Sequence, residues 1–280
     1  MDEYTRKTKA WLDERFKKCN EHGIYYAHQP LYGMRKGYSE SRFVNRYIIT
    51  YQIMKALSHL KFDSLLDIGG AEGYKAWIAR ELFGVKVKNS DLSEEACKRA
   101  EEIFHIESIP ADILELPFEN DEFDVALCSE TLEHVTDLDK AIDELLRVAH
   151  KAVVITVPHE PKELIDKIIE EQIPHGHIHC FNLESFDFLE SKGYQVFNKK
   201  MISPHLKKFS LYHLGKKAAS LQIWLHNLVC EFTSCYEAIL FVILKDKTCW
   251  RKEINQNISA CRIINFTVPF YYLNYSKDRG

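Results

Sequence analysis

The 280-residue sequence has no apolar run of eighteen or more residues, and its N-terminus lacks the apolar core of a signal peptide. The eight cysteines are scattered, and none forms a Cys-x-x-Cys pair. Internal repeats and low-complexity segments are also absent. These absences favour a cytoplasmic protein with reduced thiols and no transmembrane segment.

The composition is that of an ordinary globular protein, with 46% apolar and 28% charged residues, but the charges are segregated. Residues 62–192 carry 12 basic and 30 acidic side chains. Residues 1–61 carry 12 basic and 6 acidic side chains, and residues 193–280 carry 13 and 5. The ordinary explanation is solvated helix faces. The alternative is that basic flanks form a rim for an anionic substrate or an acidic lipid surface.

From residue 64 onward, short apolar runs alternate with amphipathic helical patterns, which predicts a parallel sheet with helices on both faces. Helices are predicted at 73–83, after Ser93, over 138–146 and at 183–192. The predicted strands are residues 64–68, 85–89, 105–109, 123–128, 152–157, 194–199 and 238–245.

Three segments lie outside this pattern, and the predicted division is 1–60, 61–200, 201–250 and 251–280. The first holds two helical patterns joined by an aromatic, basic loop, whose residues are predicted to close over a ligand cleft. Between the last two strands, an excursion with a helical apolar stripe is predicted to be a lid. The apolar run 263–273 is expected to pack on the core, and peripheral contact with a membrane surface is the alternative. The loop residues are Tyr25, Tyr26, Tyr32, Arg35, Lys36 and Tyr38, and the stripe is Leu221, Trp224, Leu225, Leu228 and Val229.

The most informative stretch is residues 65–73, in which an apolar strand ends in Asp67 and glycines 69, 70 and 73 open a helix. Glycine lets backbone amides approach a ligand, and the N-terminus of the helix attracts negative charge. The stretch therefore predicts a nucleotide-like ligand, and a tight turn with no ligand is the alternative.

Polar residues also follow the next three strands, where ligands bind in doubly wound sheets. Asp91 is placed to accept hydrogen bonds from ribose hydroxyls, and Asp112 is placed to accept from an adenine amino group while Ile113 covers the ring. Ser129 and Glu130 follow strand four beside the glycine turn. Each acid alone could be a helix cap or a turn residue, but four successive strand ends together predict a nucleoside site.

Four motifs in order over residues 64 to about 200 resemble class I S-adenosylmethionine-dependent methyltransferases of the type-11 group. They are Asp-Ile-Gly-Gly-Ala-Glu-Gly at 67–73, Asp-Leu-Ser at 91–93, Ala-Asp-Ile-Leu-Glu-Leu-Pro-Phe at 111–118, and the stretch 123–135 ending in Leu-Glu-His-Val. The resemblance implies a Rossmann-like, doubly wound α/β fold with a seven-stranded, mostly parallel sheet whose last strand is antiparallel. It also implies S-adenosylmethionine as the cofactor.

Carried onto this sequence, the resemblance implies that the glycine turn surrounds the methionine part of the cofactor, Asp91 holds the ribose, and Asp112 holds the adenine. Ala71 departs from the family, which often has glycine there. The cofactor-binding residues implied are Asp67, Gly69, Gly70, Ala71, Gly73, Asp91, Leu92, Asp112, Ile113, Ser129 and Glu130.

Methyl transfer from a sulfonium requires alignment and exclusion of water, so no catalytic residue is obligatory. Glu130 and His134 are the candidate bases, although His134 could equally make a structural hydrogen bond, and His159 also follows a strand. No metal is predicted, because the alternating histidines at 175, 177 and 179 show no partner with ligand spacing.

The predicted function is methyl transfer to a small-molecule, lipid or glycan-precursor acceptor. A nicotinamide-dependent oxidoreductase would explain the glycine turn and Asp91 but would leave Asp112 without a role. A catalytically silent binding module is the other alternative. Nucleic acid is not expected as a partner, because the middle of the chain is acidic and no Asn/Asp-Pro-Pro-Tyr motif follows strand four.

Overall fold

In a computed structural model, residues 1–19, 24–33, 43–171, 173–206, 211, 214–252 and 258–268 are described. Within these residues, seven strands form one sheet and helices cover both of its faces. The strands are β1 (Ser64–Ile68), β2 (Lys86–Asp91), β3 (Ser108–Pro110), β4 (Phe123–Ser129), β5 (Ala149–Pro158), β6 (Gln195–Met201) and β7 (Ala238–Leu244). The helices are α1 (Glu3–Lys17), α2 (Phe43–Leu57), α3 (Tyr74–Phe83), α4 (Glu94–Phe104), α5 (Leu138–Val148), α6 (Lys162–Glu170), α7 (Lys216–Phe232) and α8 (Ala260–Ile264).

The strand order is β3-β2-β1-β4-β5-β7-β6, and only β7 runs against its neighbours in the sheet. This confirms the predicted seven-stranded, mostly parallel sheet with an antiparallel last strand. The order reverses between β1 and β4, which pair side by side from Leu65 with Val125 to Ile68 with Cys128. The carboxyl ends of these two strands therefore open onto one crevice, where such sheets bind ligands.

Alternate residues of the central strands enter two separate apolar clusters. In β4, Val125 and Leu127 face the cluster that includes α2 and α3, whereas Ala126 and Cys128 face the cluster that includes α5. Because both faces are covered, the strands read as continuous apolar runs in the sequence. This double burial fixes the carboxyl ends of the strands in a rigid frame.

Local signals place the ends of the helices around the crevice. Gly73 and Gly84 flank α3 with φ of +75° and +67°, a left-handed conformation that glycine adopts without a Cβ clash. Ser93 caps α4 as predicted, since its side-chain oxygen accepts from the amide of Ala96 at 3.2 Å. The helices that follow β1 and β2, α3 and α4, thus begin where the sequence indicated.

The predicted helix over 183–192 is wrong in its first part, where a hydrogen-bonded turn precedes a 3-10 helix spanning Asp187–Lys192. The turn forms because Asn182 accepts from the amide of Glu184 and the hydroxyl of Ser185, which competes with helix formation. The sequence analysis also missed α6, in which Ile165 is the one buried residue.

Helix α7 exists, but the apolar stripe noted in the sequence does not coincide with its most buried residues. Leu221 and Trp224 are 51% and 54% exposed, and the face that packs on α2, α8 and β6 includes the polar residues Gln222 and His226. Backbone amides partner one polar atom of each: Leu211 donates to Oε1 of Gln222 at 2.8 Å and Ser203 donates to Nδ1 of His226 at 3.0 Å. A stripe chosen by apolar residues alone could not include them.

The C-terminal part of the described chain lies against the N-terminal segment. In α8, Ile263 and Ile264 are buried, and just beyond it the amide of Val268 donates to the carbonyl of Leu31 at 2.8 Å. The last part of the predicted apolar run, 269–273, lies outside the described residues. None of the helices described is long and apolar enough to cross a membrane.

Candidate functional site

The crevice beyond β1 and β4 is a cleft, here called the donor cleft, and it brings together most of the residues singled out in the sequence. Asp67, Gly70 and Gly73 lie outside its lining. The predicted residues that line it are Gly69, Ala71, Asp91, Leu92, Asp112, Ile113, Ser129, Glu130 and His134.

The glycine turn is held by the protein itself. The amides of Gly69 and Gly70 both donate to the carbonyl of Ser90, at 2.8 and 3.1 Å. A Cβ on Gly69 would lie 2.2 Å from Oγ1 of Thr131, and one on Gly70 would lie 2.0 Å from Oδ1 of Asn89. Packing within the chain therefore already requires glycine at both positions, independently of any ligand. Ala71, the departure from the family pattern, adopts φ of +50°.

Asp67 lies beneath the turn, where it is completely buried. Its Oδ2 accepts from the amide of Ala76 at 3.2 Å, whereas its Oδ1 has no hydrogen-bond partner among the residues described. Burial raises the pKa of this carboxyl to about 6, and the nearby ammonium of Lys75 opposes that rise. Asp67 can thus organise the turn and the start of α3 from below.

Asp91 stands at the end of β2 with both carboxylate oxygens facing backbone amides. Oδ2 accepts from Ala71 and Oδ1 from Ser93, each at 2.9 Å. Burial raises the pKa of Asp91 to about 6, although these two hydrogen bonds favour its ionised form. Asp91 thus forms a turn that leads into α4, whereas the cap of that helix is Ser93. Each oxygen keeps a further lone pair that could face a ligand in the cleft.

Asp112 and Ile113 lie on the loop after β3. Oδ1 of Asp112 accepts from the amide of Leu114 at 3.0 Å, which is the local turn that the alternative interpretation required. Both residues also line the cleft, with Ile113 nearly buried at 8% exposure. The structure thus supports the turn role and leaves the adenine role as a prediction.

Beyond β4, Ser129 and Glu130 form the floor of the cleft. The hydroxyl of Ser129 lies 2.7 Å from that of Thr156, and Thr156 also donates to Oε1 of Glu130 at 3.3 Å. Glu130 has φ of +57°, a left-handed conformation that is uncommon outside glycine and turns the side chain out of the strand. Strain of this kind is concentrated at functional sites.

His134 belongs to a 3-10 turn, and its ring is nearly buried. Its Nδ1 donates to the carbonyl of Gly176 at 3.0 Å, and its ring stacks on His175 with centroids 3.7 Å apart. Burial, with the neighbouring His175 and His177, holds the pKa of His134 well below its usual range. The imidazole is therefore neutral near pH 7, with its proton on Nδ1 and a lone pair on Nε2.

The sequence analysis missed the part of the donor cleft that the N-terminal segment supplies. Gln29 and four residues of α1 line the cleft, whereas the predicted tyrosines do not: Tyr25, Tyr26 and Tyr32 line a small separate cavity. Tyr25 instead packs under the guanidinium of Arg99, 3.6 Å from its ring centroid. Arg35, Lys36 and Tyr38 lie outside the described residues. The residues of α1 at the cleft are Thr5, Thr8, Leu12 and Phe16.

A second cavity adjoins the donor cleft and is here called the acceptor cavity. Arg46 and Glu130 line both spaces, so the two cavities share a wall. The predicted lid contributes only its ends, Ile202 and Tyr236 to Ala238, because no residue of α7 reaches either space. The other polar residues around the acceptor cavity are Asn45, His159, Glu160, Lys162 and His177.

The comparisons with known proteins bear on this arrangement. Residues 66–156 match the family model of a methyltransferase domain. These residues form a class I methyltransferase domain of the type-11 group. The chain is 33% identical over 105 residues to norajmaline N-methyltransferase of Rauvolfia serpentina, a match covering 35% of this chain and 36% of that protein.

A second relative is the chloroplastic tocopherol O-methyltransferase of Arabidopsis thaliana, 25% identical over 170 residues, or 56% of this chain and 49% of that protein. The chain thus spans less than half the length of either relative. Among solved structures, an S-adenosylmethionine-dependent methyltransferase of Thermotoga maritima shares the fold, with a TM-score of 0.51 and 17% identity over 72% of this chain and 92% of that one.

The cofactor of this methyltransferase domain is S-adenosylmethionine. The donor cleft fits such a group, because it contains buried polar atoms that the described residues leave without partners. Oε1 of Gln29 and Oγ1 of Thr8 are two such atoms, and both residues line the cleft. Unpaired buried polar atoms are costly, so a polar ligand in this cleft would relieve them.

Proposed function

We propose that the chain transfers the methyl group of S-adenosylmethionine to a small-molecule acceptor that occupies the acceptor cavity. The observation that carries this proposal is the shared wall: Glu130 and Arg46 line the donor cleft and the acceptor cavity alike. A donor on one side and an acceptor on the other would meet at Glu130. Proximity of this kind supplies most of the rate enhancement that a methyl transfer needs.

When bound, the cofactor supplies a methyl group bonded to a positively charged sulfur, and the sulfur keeps the electrons of the carbon–sulfur bond when the methyl group is transferred. In the proposal, the glycine turn, which Asp67 organises from below, holds its methionine part, Asp91 its ribose, and Asp112 with Ile113 its adenine. The carboxylate of Glu130 accepts the proton that the acceptor loses. Arg46 orients an acceptor that carries negative charge.

The relatives support small-molecule acceptors, since one is named for an alkaloid nitrogen and another for a tocopherol oxygen. The polar lining of the acceptor cavity suits such a molecule, whether it is free, a lipid or a glycan precursor. We include a cytoplasmic location in the proposal, with no nucleic acid as partner. Membrane contact through the C-terminal run remains the alternative for a lipid acceptor.

Calorimetry tests the donor half of the proposal. S-adenosylhomocysteine should bind with a stoichiometry of one per chain, and NAD at the same concentration should produce no heat. The reverse result would support the oxidoreductase alternative. Absence of heat with both ligands, on protein with a cooperative melting transition, would refute the cofactor assignment.

The acceptor half is tested by turnover with radiolabelled S-adenosylmethionine and a fractionated small-molecule extract. Label should appear in an organic or low-mass fraction, and Glu130→Gln should slow the transfer at least tenfold while binding of S-adenosylhomocysteine stays within about threefold. Tight cofactor binding without label transfer from any fraction would favour the silent binding module.

A further inference from the structure

Two histidines and a carboxylate meet at the boundary between the donor cleft and the acceptor cavity. Glu133, His134 and His177 each offer one ligand atom, and these atoms all lie within 4.8 Å of one another. His134 lines the donor cleft and His177 lines the acceptor cavity. Two His and one carboxylate are the ligands of many zinc sites that keep an open coordination position.

The hydrogen bonds of both histidines prepare their Nε2 atoms for a metal. Nδ1 of His134 donates to the carbonyl of Gly176 at 3.0 Å, and Nδ1 of His177 donates to Oε2 of Glu160 at 2.5 Å. A donor at Nδ1 leaves the lone pair of a neutral imidazole on Nε2. Carbonyl and carboxylate partners of this kind are what fix the tautomer and orientation of metal-bound histidines.

Glu133 supplies the observation that a ligand is missing. Glu133 is 1% exposed, and its Oε2 has no hydrogen-bond partner in the part of the chain that the structure describes. Nε2 of His134 lies 3.9 Å from Oε1 of Glu133, too far for a hydrogen bond. Two ligands at about 2.0 Å in tetrahedral geometry would be roughly 3.3 Å apart, so a modest closure would complete the site.

The local charges also favour a cation. Glu130 lines both cavities and Glu160 accepts from His177, and Arg46 is a cation on the same shared wall. Arg46 is shared with Nε2 of His28, which lies 3.1 Å from its guanidinium. An entry path exists, because the side chain of His177 is 30% exposed at the acceptor cavity.

We propose that Glu133, His134 and His177 bind a divalent transition-metal ion, with Zn²⁺ as the probe and the fourth position open. The sequence analysis predicted no metal, because the histidines at 175, 177 and 179 showed no partner at ligand spacing. The fold supplies these partners, Glu133 and His134, from the segment that follows β4. Only His177 of the three joins the set, since His175 stacks on His134 and Nε2 of His179 donates to the carbonyl of Val135.

Because His177 lines the acceptor cavity, an acceptor hydroxyl or amine could bind at the open position and lose its proton more easily. This role depends on the proposed methyl transfer, whereas metal binding itself does not. Metal binding and binding of S-adenosylhomocysteine are therefore measured separately on the same protein, so that failure of one proposal is distinguishable from failure of the other.

The test titrates chelator-treated full-length protein with Zn²⁺ by calorimetry and with Co²⁺ by visible absorption. One equivalent should bind, and His177→Gln and Glu133→Gln should each weaken binding at least tenfold. The matched control is His179→Gln, two residues along the same segment, which should leave metal affinity within about threefold. S-adenosylhomocysteine affinity of each variant reports whether the domain is still folded.

Three results would overturn the proposal. The wild-type protein could take up no metal, His179→Gln could lose as much affinity as His177→Gln, or the Co²⁺ spectrum could show a thiolate charge-transfer band. The last result would assign the ion to a cysteine, and Cys19, Cys180 and Cys235 are exposed.

Discussion

At the scale of single residues, Asp91 joins the glycine turn to the N-terminus of α4. The substitution Asp91→Asn replaces one of two accepting oxygens by an NH₂ group that must face a backbone amide, of Ala71 or of Ser93. We expect affinity for S-adenosylhomocysteine to fall at least tenfold and the free energy of unfolding to fall by about 1–3 kcal/mol. Calorimetry and thermal melting measure the two effects.

Asp246→Asn is the matched control for that substitution. Asp246 also accepts from a backbone amide, that of Thr248 at 2.9 Å, but it lies beyond β7 and lines neither cavity. It should cost some stability and leave cofactor affinity unchanged. Equal affinities of Asp91→Asn and wild type for S-adenosylhomocysteine would contradict the ribose assignment.

A second residue-scale prediction concerns Glu72, which lies within the glycine turn. Burial raises its pKa to about 7 from 4.5, with Asp91 adding to the rise and Lys75 opposing it. The folded state then holds this proton more tightly than the unfolded chain does. This contribution to stability is full below about pH 4.5 and is lost as the pH rises to about 7.

Glu72→Gln should therefore raise the melting temperature at pH 8 and flatten its dependence on pH between 5 and 7. The amide oxygen can still accept from the amide of His28, the partner of Oε1. At about 1.4 kcal/mol per pKa unit, the gain at pH 8 is roughly 3 kcal/mol. The control is Glu107→Gln, which removes an exposed ion pair with Lys88 and should leave the dependence of the melting temperature on pH unchanged. A pH profile of Glu72→Gln that parallels wild type would disprove the effect.

At the scale of elements, α1 covers the donor cleft, and few contacts fasten it to the far rim. The hydroxyl of Tyr4 donates to the carbonyl of Gly176 at 3.1 Å, and Oγ1 of Thr136 donates to Oδ2 of Asp2 at 2.8 Å. A hydrogen bond is worth about 1 kcal/mol, so Tyr4→Phe should speed dissociation of S-adenosylhomocysteine roughly fivefold. Stopped-flow displacement measures this rate.

The matched control for α1 is Tyr47→Phe in α2. The hydroxyl of Tyr47 is buried without a hydrogen-bond partner among the residues that the structure describes, and it does not line the donor cleft. Its removal should leave the dissociation rate unchanged. If S-adenosylhomocysteine dissociates from Tyr4→Phe and from Tyr47→Phe at the same rate, α1 does not control exit of the ligand from the cleft.

The sequence predicted the elements whose physics is local or strongly patterned. β1 and β4 were found because doubly buried strands are apolar for most of their length and end abruptly in polar residues. The apolar stripe of α7 did not indicate its packed face, because the partners of the buried residues Gln222 and His226 are backbone amides of other segments. Spacing alone also could not show that Glu133 lies beside His177, 44 residues away, since only tertiary packing brings them together.

At the scale of the whole molecule, hydrogen bonds join segments that the predicted division into 1–60, 61–200, 201–250 and 251–280 separates. β7 lies between β5 and β6, so residues 201–250 include a strand that is hydrogen-bonded on both edges. The C-terminal tail reaches α3, where the carbonyl of Phe266 accepts from the hydroxyl of Tyr74 at 2.9 Å. A segment with such contacts should unfold only together with the sheet.

The eight free cysteines allow this cooperativity to be measured, because buried thiols lie in several elements. Maleimide labelling of the native protein should be fast at Cys19, Cys180 and Cys235, which are exposed, and slower at Cys261. The buried thiols should react only on unfolding, and in increasing urea we expect them to become reactive over the same concentration range. The buried thiols are Cys97 in α4, Cys128 in β4, Cys230 in α7 and Cys249 just after β7.

Peptide mass spectrometry resolves the labelling of each thiol, so the comparison is internal to one sample. Cys128 reports the centre of the sheet, whereas Cys230 and Cys249 report the segment 201–250. Labelling of the latter two at lower urea than Cys128 would show that the segment opens as a separate unit. If the chain unfolds as one unit, addition of S-adenosylhomocysteine should raise the urea concentration at which all four buried thiols become reactive by the same amount. A ligand of the native state stabilises a single cooperative unit by about 2.7 kcal/mol at a hundred times its Kd.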